Sequence, residues 1–92
     1  MRIEQVEIYS DETNKAVLRH PGRRFPGVLI QGDTLYAMCE DADKLCASAR
    51  AGVADDSFGD LNKLRNRLWD FLNHYKNVLA ENNLPLPFDQ TP

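Results

Sequence analysis

The stretch PGRRFPGVLIQGD, residues 21–33, contains two prolines and three glycines and marks the point where strands give way to helices. Pro21 and Gly22 predict the end of a strand, because proline donates no ladder hydrogen bond and glycine adopts positive φ without strain. The apolar run Val28–Ile30 contains two β-branched residues and predicts a short strand that is covered on both faces. Beyond it the apolar spacing changes from that of a strand to that of a helix, so this stretch separates a β part from an α part.

Two further strands are predicted ahead of this stretch. Residues 3–9 alternate apolar and polar side chains at Val6 and Ile8, and residues 15–20 form a second segment of strand character. The polar residues 10–14 between them favour a turn, since their side chains can hydrogen-bond to the neighbouring backbone. With a third strand over residues 27–31, the order predicts an antiparallel meander.

Two amphipathic helices are predicted after the strands, over residues 34–51 and 57–82. Asp33 is the predicted N-cap of the first helix, and Gly52 is its predicted C-terminal stop. Apolar residues recur with helical spacing at Leu35, Met38, Cys39, Ala42, Leu45, Cys46 and Ala49 in the first helix and at Leu61, Leu64, Leu68, Phe71, Leu72, Tyr75 and Leu79 in the second.

The segment after the second helix is predicted to be extended over residues 84–92. Asn82 and Asn83 end the helix, and Pro85 and Pro87 prevent another from forming. The apolar residues of this tail favour a docked position, either as a lid over the core or on a neighbouring protein as a proline-rich segment.

The fold class that follows is α+β. A three-stranded antiparallel meander packed against a two-helix antiparallel hairpin, a β-β-β-α-α two-layer sandwich, is the simplest way to cover one apolar face with another. The chain has 92 residues, which is room for a single domain over residues 1–92. A chain this short buries only about 60–65% of its unfolded surface, and a homodimer would relieve the thin stability margin that results.

Charge and targeting signals limit the partners that we expect. The net charge is −3, and residues 33–60 contain seven acidic and two basic side chains. Such an acidic band repels phosphate backbones, which excludes nucleic acid, and it either attracts a basic partner or only keeps the protein soluble. The first ten residues, MRIEQVEIYS, contain no apolar run of signal-peptide length, and nowhere do eighteen apolar residues occur together, so we expect neither a signal peptide nor a membrane span. Two cysteines without an export signal favour the cytoplasm.

Residues that could carry chemistry are few. Cys39 and Cys46 lie about 10 Å apart along one helix, too far to form a disulfide with each other, and both are predicted as inert core residues. No nucleophile elbow, phosphate loop or dinucleotide fingerprint occurs, and neither His20 nor His74 has a ligand-spaced partner. We therefore expect no catalytic residue, no metal and no cofactor.

A basic cluster surrounds the turn after the second predicted strand. Arginine forks bind planar anions well, and a helix N-terminus follows shortly after, so a phosphate or carboxylate site is one interpretation. The other is that these arginines pair with acids of the following helices, such as Glu40 or Asp43, or lie in solvent. Asp33 at the helix start repels a second anion and favours the other interpretation. The candidate anion-binding residues are Arg19, Arg23 and Arg24.

Two aromatic residues lie off the centre of the predicted apolar stripes. Tyr36 on the first helix and Trp69 on the second are each displaced by roughly a quarter-turn from the stripe. They either cap the edge of the sandwich or anchor another protein.

The run RHPGRRFPGVLIQGDTL, residues 19–35, resembles a small bacterial domain family of unknown function. The resemblance extends from Val6 to Phe88. It implies a compact cytoplasmic bacterial domain and no assigned chemistry.

The function predicted from these observations is non-enzymatic protein binding, as in an immunity-type inhibitor of a toxin or an accessory subunit. An acidic helix and loop would meet a basic partner, which speeds association. The alternative is a small-anion or small-ligand sensing module at the arginine turn. The predicted partner-binding residues are Glu40, Asp41, Asp43, Asp55, Asp56, Tyr36 and Trp69.

Overall fold

The computed structural model describes residues 1–49 and 55–88, without the side chains of residues 55–57. Three strands, β1 (Glu7–Ser10), β2 (Ala16–Arg19) and β3 (Gly27–Leu29), precede two helices, α1 (Gly32–Ala49) and α2 (Asp55–Glu81). The predicted α+β class and β-β-β-α-α order are confirmed. The chain forms two compact units, Met1–Gln31 and Gly32–Pro92, and the assignment of both to one domain stays a prediction.

The sheet is an antiparallel meander in the order β1-β2-β3. Glu7 pairs with Arg19, so Gln5 would stand opposite Pro21. Because proline has no N–H to donate, the ladder stops there, and β1 begins four residues later than predicted.

A β-bulge interrupts the pairing of β1 with β2. Ile8 pairs with Leu18, but the next pair joins Ser10 to Val17, which leaves Tyr9 as the extra residue. The side chains of Glu7, Tyr9 and Arg19 meet on one face of the sheet, since the Tyr9 hydroxyl and the Arg19 guanidinium both donate to the Glu7 carboxylate.

Two tight turns connect the strands as the sequence predicts. Gly22 has a φ of 80°, and the Arg23 amide donates to the His20 carbonyl at 3.1 Å. With proline second and glycine third, this is the usual arrangement of a type II turn. Asn14, with a φ of 61°, takes the left-handed position of the β1–β2 turn.

The prediction that the third strand is covered on both faces is wrong. Val28 and Leu29 project to opposite faces, and both side chains are more than half exposed. β3 is an edge strand whose neighbours on β2 are Val17 and the small Ala16, so the pairing itself shields little of either side chain.

The core of the helical unit is narrower than the predicted apolar stripes. Among the described residues, the buried apolar side chains are those of Cys39, Cys46, Ala49 and Leu72. Met38, Leu45, Leu64 and Phe71, all assigned to the stripes from their spacing, are exposed.

The first helix begins at Gly32, two residues earlier than predicted. Asp33 lies inside the first turn instead of at the N-cap, and its Oδ1 accepts a hydrogen bond from the Thr34 amide at 2.8 Å. Its negative charge still lies at the positive end of the helix, where it is favourable. The predicted stop at Gly52 lies outside the described residues.

The second helix ends at the predicted asparagines in a Schellman motif. Asn83 adopts a φ of 57°, the Leu84 amide donates to the Leu79 carbonyl at 2.9 Å, and the Asn83 amide donates to the Ala80 carbonyl at 3.2 Å. These bonds satisfy carbonyl groups that the helix leaves free at its end.

Gly32 is buried where the two helices meet. A Cβ built on Gly32 would overlap the ring of Tyr75, so the first turn of α1 can approach α2 closely only because this residue has no side chain.

Candidate functional site

The first candidate site is an open cleft beside the His20–Arg23 turn, within the sheet unit. It has a volume of about 370 Å³ and lies between the residues around the start of β1 and that turn. Of the three arginines predicted as an anion site, Arg19 and Arg23 line this cleft.

Arg19 is engaged by an acidic residue of the neighbouring strand. Its Nε and Nη2 both donate to Glu7 Oε1, at 3.1 Å and 2.5 Å, and the Tyr9 hydroxyl donates to Glu7 Oε2 at 2.7 Å. The prediction that the arginines pair with acids of the following helices is therefore wrong for Arg19, because register places Glu7 directly opposite it.

The protonation equilibria of this triad reflect those bonds. The hydrogen bond from Tyr9 and that from Arg19 lower the pKa of Glu7. The same bonds raise the pKa values of Tyr9 and Arg19, because each donor loses a bond to the carboxylate when it is deprotonated. The carboxylate is thus held in its charged form, and it offsets the charge that Arg19 could present to an anion.

The remaining basic groups of the turn differ in position. The Arg24 guanidinium lies 5.2 Å from the centre of the Phe25 ring, a cation–π contact. His20 Nδ1 lies 3.0 Å from the Pro21 carbonyl oxygen, which can only accept, so Nδ1 carries the proton of that bond. Within the described part of the chain, Arg23 forms no ion pair, which leaves it as the guanidinium available in the cleft.

The second candidate site is a surface of the helical unit that we call the aromatic–acidic face. Tyr36, Glu40 and Asp43 share one side of α1 because they are spaced by four and three residues. The Trp69 indole N–H donates to Asp43 Oδ1 at 3.0 Å, which joins α2 to the same face. The aromatic–acidic face consists of Tyr36, Glu40, Asp43 and Trp69.

Both aromatic residues of this face have a partner within the helical unit. The rings of Tyr36 and Phe88 are stacked, with centroids 4.3 Å apart and planes inclined by 3°. Lys76 Nζ lies 6.0 Å from the centre of the Trp69 ring, and Arg65 Nε lies 3.8 Å from Asp43 Oδ1. The described part of the tail, residues 84–88, therefore folds back onto α1, which is one of the two docked positions that the sequence allowed. Residues 89–92 of the predicted tail lie outside the described residues.

The structure does not place all the other predicted partner-binding residues on this face. Glu40 and Asp41 are both exposed, but Asp41 projects from the side of α1 away from Asp43, because a two-residue step turns a helix by about 200°. The side chains of Asp55 and Asp56 lie outside the described residues.

Neither cysteine forms part of a site. Cys39 and Cys46 are buried and unpaired, as predicted. Burial, followed by the negative charge of Asp43, raises the pKa of the Cys39 thiol, which disfavours the thiolate that a nucleophile needs.

Both sites also contain residues that were not predicted from the sequence. Glu7 lines the cleft and is held there by Tyr9, and Arg65 and Phe88 complete the aromatic–acidic face. Glu7 was detectable in principle, because a hairpin centred on residues 13 and 14 places it near Arg19. Phe88 carried only the signal that an apolar tail residue must dock somewhere.

The described residues hold neither a metal-binding cluster nor a membrane-spanning helix. Their histidine, cysteine, aspartate and glutamate side chains include no group of three that could hold a metal ion. Their helices include none with both the length and the apolar character needed to cross a bilayer.

Comparison with known proteins places the chain in a family. The chain belongs to a family of unknown function (DUF6959), whose model matches residues 1–88. No curated protein and no solved structure matches the chain.

Proposed function

We propose that this chain is a non-enzymatic protein-binding domain whose aromatic–acidic face docks a partner with a basic surface. The observation that carries the proposal is the Trp69–Asp43 hydrogen bond, which fixes a partly exposed indole beside an exposed acid, Glu40. An immunity-type inhibitor or an accessory subunit of the bacterial cytoplasm is the class of protein that this surface suits.

Preorganisation is the physical argument for this face. Trp69 is oriented by Asp43, and Tyr36 is oriented by its stacking on Phe88. A partner that packs on rings already held in place loses less side-chain entropy than one that must order them. Tryptophan and tyrosine are also the residues that most often dominate binding energy at protein interfaces.

Charge is the second argument. Asp43 is already shared between Trp69 and Arg65, so Glu40 is the acid of this face that is open to a basic side chain. An exposed acid at the rim of an interface acts mainly on the association rate, and it does so less at high salt.

The experiment is affinity co-purification from a lysate with matched charge-reversal baits. Glu40→Lys reverses an acid on the aromatic–acidic face, and Asp70→Lys reverses an exposed acid of α2 on another side with the same change in net charge. We expect a basic protein that is retained by the wild-type and Asp70→Lys baits and lost from Glu40→Lys. Equal retention by both variants, or retention of no protein, contradicts the proposal.

Small-anion binding at the cleft is the second candidate, favoured by Arg23 and His20 facing one open space. Arg19 adds little, because Glu7 offsets its charge. A thermal-shift assay with phosphate tests it, since a ligand that binds only the native state raises the melting temperature. We expect Arg23→Ala to abolish the shift and Arg24→Ala to keep it; no shift of the wild type at millimolar phosphate removes this candidate.

A further inference from the structure

The helical unit has a second surface, apolar and exposed, that the proposed function does not use. On each helix its apolar residues are spaced by seven, so they form two parallel stripes. We call this surface the heptad face; it consists of Met38 and Leu45 on α1, exposed by 40% and 60%, and Leu64, Phe71 and Val78 on α2, exposed by 55%, 65% and 36%.

Both stripes lie on the same side of the helix pair. On α1, the contact line with α2 runs through buried Cys39 and Cys46, and Asp43 lies to one side of it while Met38 and Leu45 lie to the other. The bond from Trp69 to Asp43 fixes the matching side of α2.

The position of the apolar stripe on α2 follows from the same geometry. Its line of contact runs through Leu72, and Trp69 projects to one side of that line. Leu64 and Phe71 project to the side away from Trp69, so the two helices expose their remaining apolar residues together.

Two contacts define the register of α1 against α2. Gly32 meets Tyr75, and Asp43 lies beside Arg65, so in antiparallel helices each step forward on α1 matches a step back on α2. Phe71 therefore lies beside Met38 across the face. By the same register, Leu64 lies beside Leu45.

A pair of opposite charges flanks this face at one level, on the outer side of each stripe. Asp41 stands between the two apolar residues of the α1 stripe, and Arg67 stands between Leu64 and Phe71 on α2. Both are exposed, and the register places them at the same level. The face is therefore acidic beside one stripe and basic, at the same level, beside the other.

We propose that the heptad face binds a second copy of this chain, with a twofold axis parallel to the helices. This axis places α1 of each copy over α2 of the other. Asp41 of each copy then lies against Arg67 of the partner subunit, so the ion pair forms twice in the dimer. The apolar residues then meet in the same way, Met38 against Phe71 and Leu45 against Leu64. The product is an antiparallel four-helix bundle with a self-complementary interface.

Charge selects this axis over the other one that brings two heptad faces together. A twofold axis perpendicular to the helices, in the plane of the interface and at the level of these charges, would place α1 over α1 and bring Asp41 against Asp41. It would also bring Arg67 against Arg67. Like charges opposed in this way disfavour that arrangement.

The experiment measures molar mass by sedimentation or light scattering for the full chain, up to about 100 μM, which populates dimers of micromolar Kd. We expect a dimer for the wild type. Phe71→Glu should make it monomeric, whereas Phe25→Glu, an equally exposed aromatic of the sheet unit, should leave it dimeric. Circular dichroism establishes that the variants keep their helices.

A charge exchange tests the axis. Asp41→Arg and Arg67→Asp should each weaken the dimer by roughly tenfold, and the double variant should restore it. A wild type that is monomeric at all concentrations overturns the proposal, as does a dimer that Phe71→Glu leaves intact; a dimer without rescue in the double variant overturns the assigned axis. These results are independent of the co-purification, which depends on another face.

Discussion

Replacing Gly32 by alanine perturbs the close approach of α1 to Tyr75. A Cβ at this position would overlap the Tyr75 ring, so either the ring or the helix must move. Overpacking of this kind typically lowers the free energy of unfolding by about 1–3 kcal/mol. The higher helix propensity of alanine offsets less than about 1 kcal/mol of this loss at a first turn. We expect Gly32→Ala to lower the free energy of unfolding by about 1–2 kcal/mol.

Gly59 provides the matched control. It lies in α2, and a Cβ there would meet no atom within 4 Å. Gly59→Ala should therefore stabilise the protein by roughly 0.5–1 kcal/mol, the ordinary helix-propensity gain. If Gly32→Ala and Gly59→Ala change the free energy of unfolding with opposite signs, helix propensity alone cannot explain the difference.

The assay is urea unfolding followed by the fluorescence of Trp69, the single tryptophan of the chain. Tyr75→Ala should remove the obstacle, so that Gly32→Ala costs at least about 1 kcal/mol less in that background. A Gly32→Ala variant as stable as the wild type, or an equal cost with and without Tyr75, refutes the reasoning. A change in the m-value, the slope of the unfolding free energy against urea concentration, instead of a change in the urea midpoint would indicate an altered unfolded or native state.

Four further predictions concern individual side chains. Tyr9→Phe should raise the pKa of Glu7 towards its ordinary value, measured by carboxyl NMR titration; an unchanged midpoint contradicts the bond to Tyr9. Because folding lowers the pKa of Glu7, its contribution to stability is complete above the unfolded pKa and is lost as pH falls through the folded one, and Glu7→Gln should remove this dependence. Asn83→Ala should cost about 1 kcal/mol and Asn83→Gly should not, since only the former is strained at positive φ. Cys39 and Cys46 should react with Ellman's reagent only on unfolding, and fast labelling of the native protein would show that they are accessible.

Local chemistry in the sequence determined the order of elements and where several of them end. The turn at Gly22 and the cap at Asn83 were predictable because positive φ is a property of one residue and its neighbours. The helices were predictable because their apolar period persists over many turns. The candidate residues Arg19 and Trp69 were also found from composition and spacing, but their partners were not.

Tertiary structure decided every question that depends on which segments meet. Arg19 faces Glu7 because of strand register, and the Tyr36–Phe88 stack forms because the tail returns to the start of α1. Periodicity marked Phe71 as a core residue, yet only the line of contact between two helices determines which apolar positions are buried. Gly32 looked like a residue that merely precedes a helix, and its actual role depends on the Tyr75 ring, far away in the chain. Backbone preference is local and can be read residue by residue, whereas exclusion of volume and pairing of charge require two segments in space.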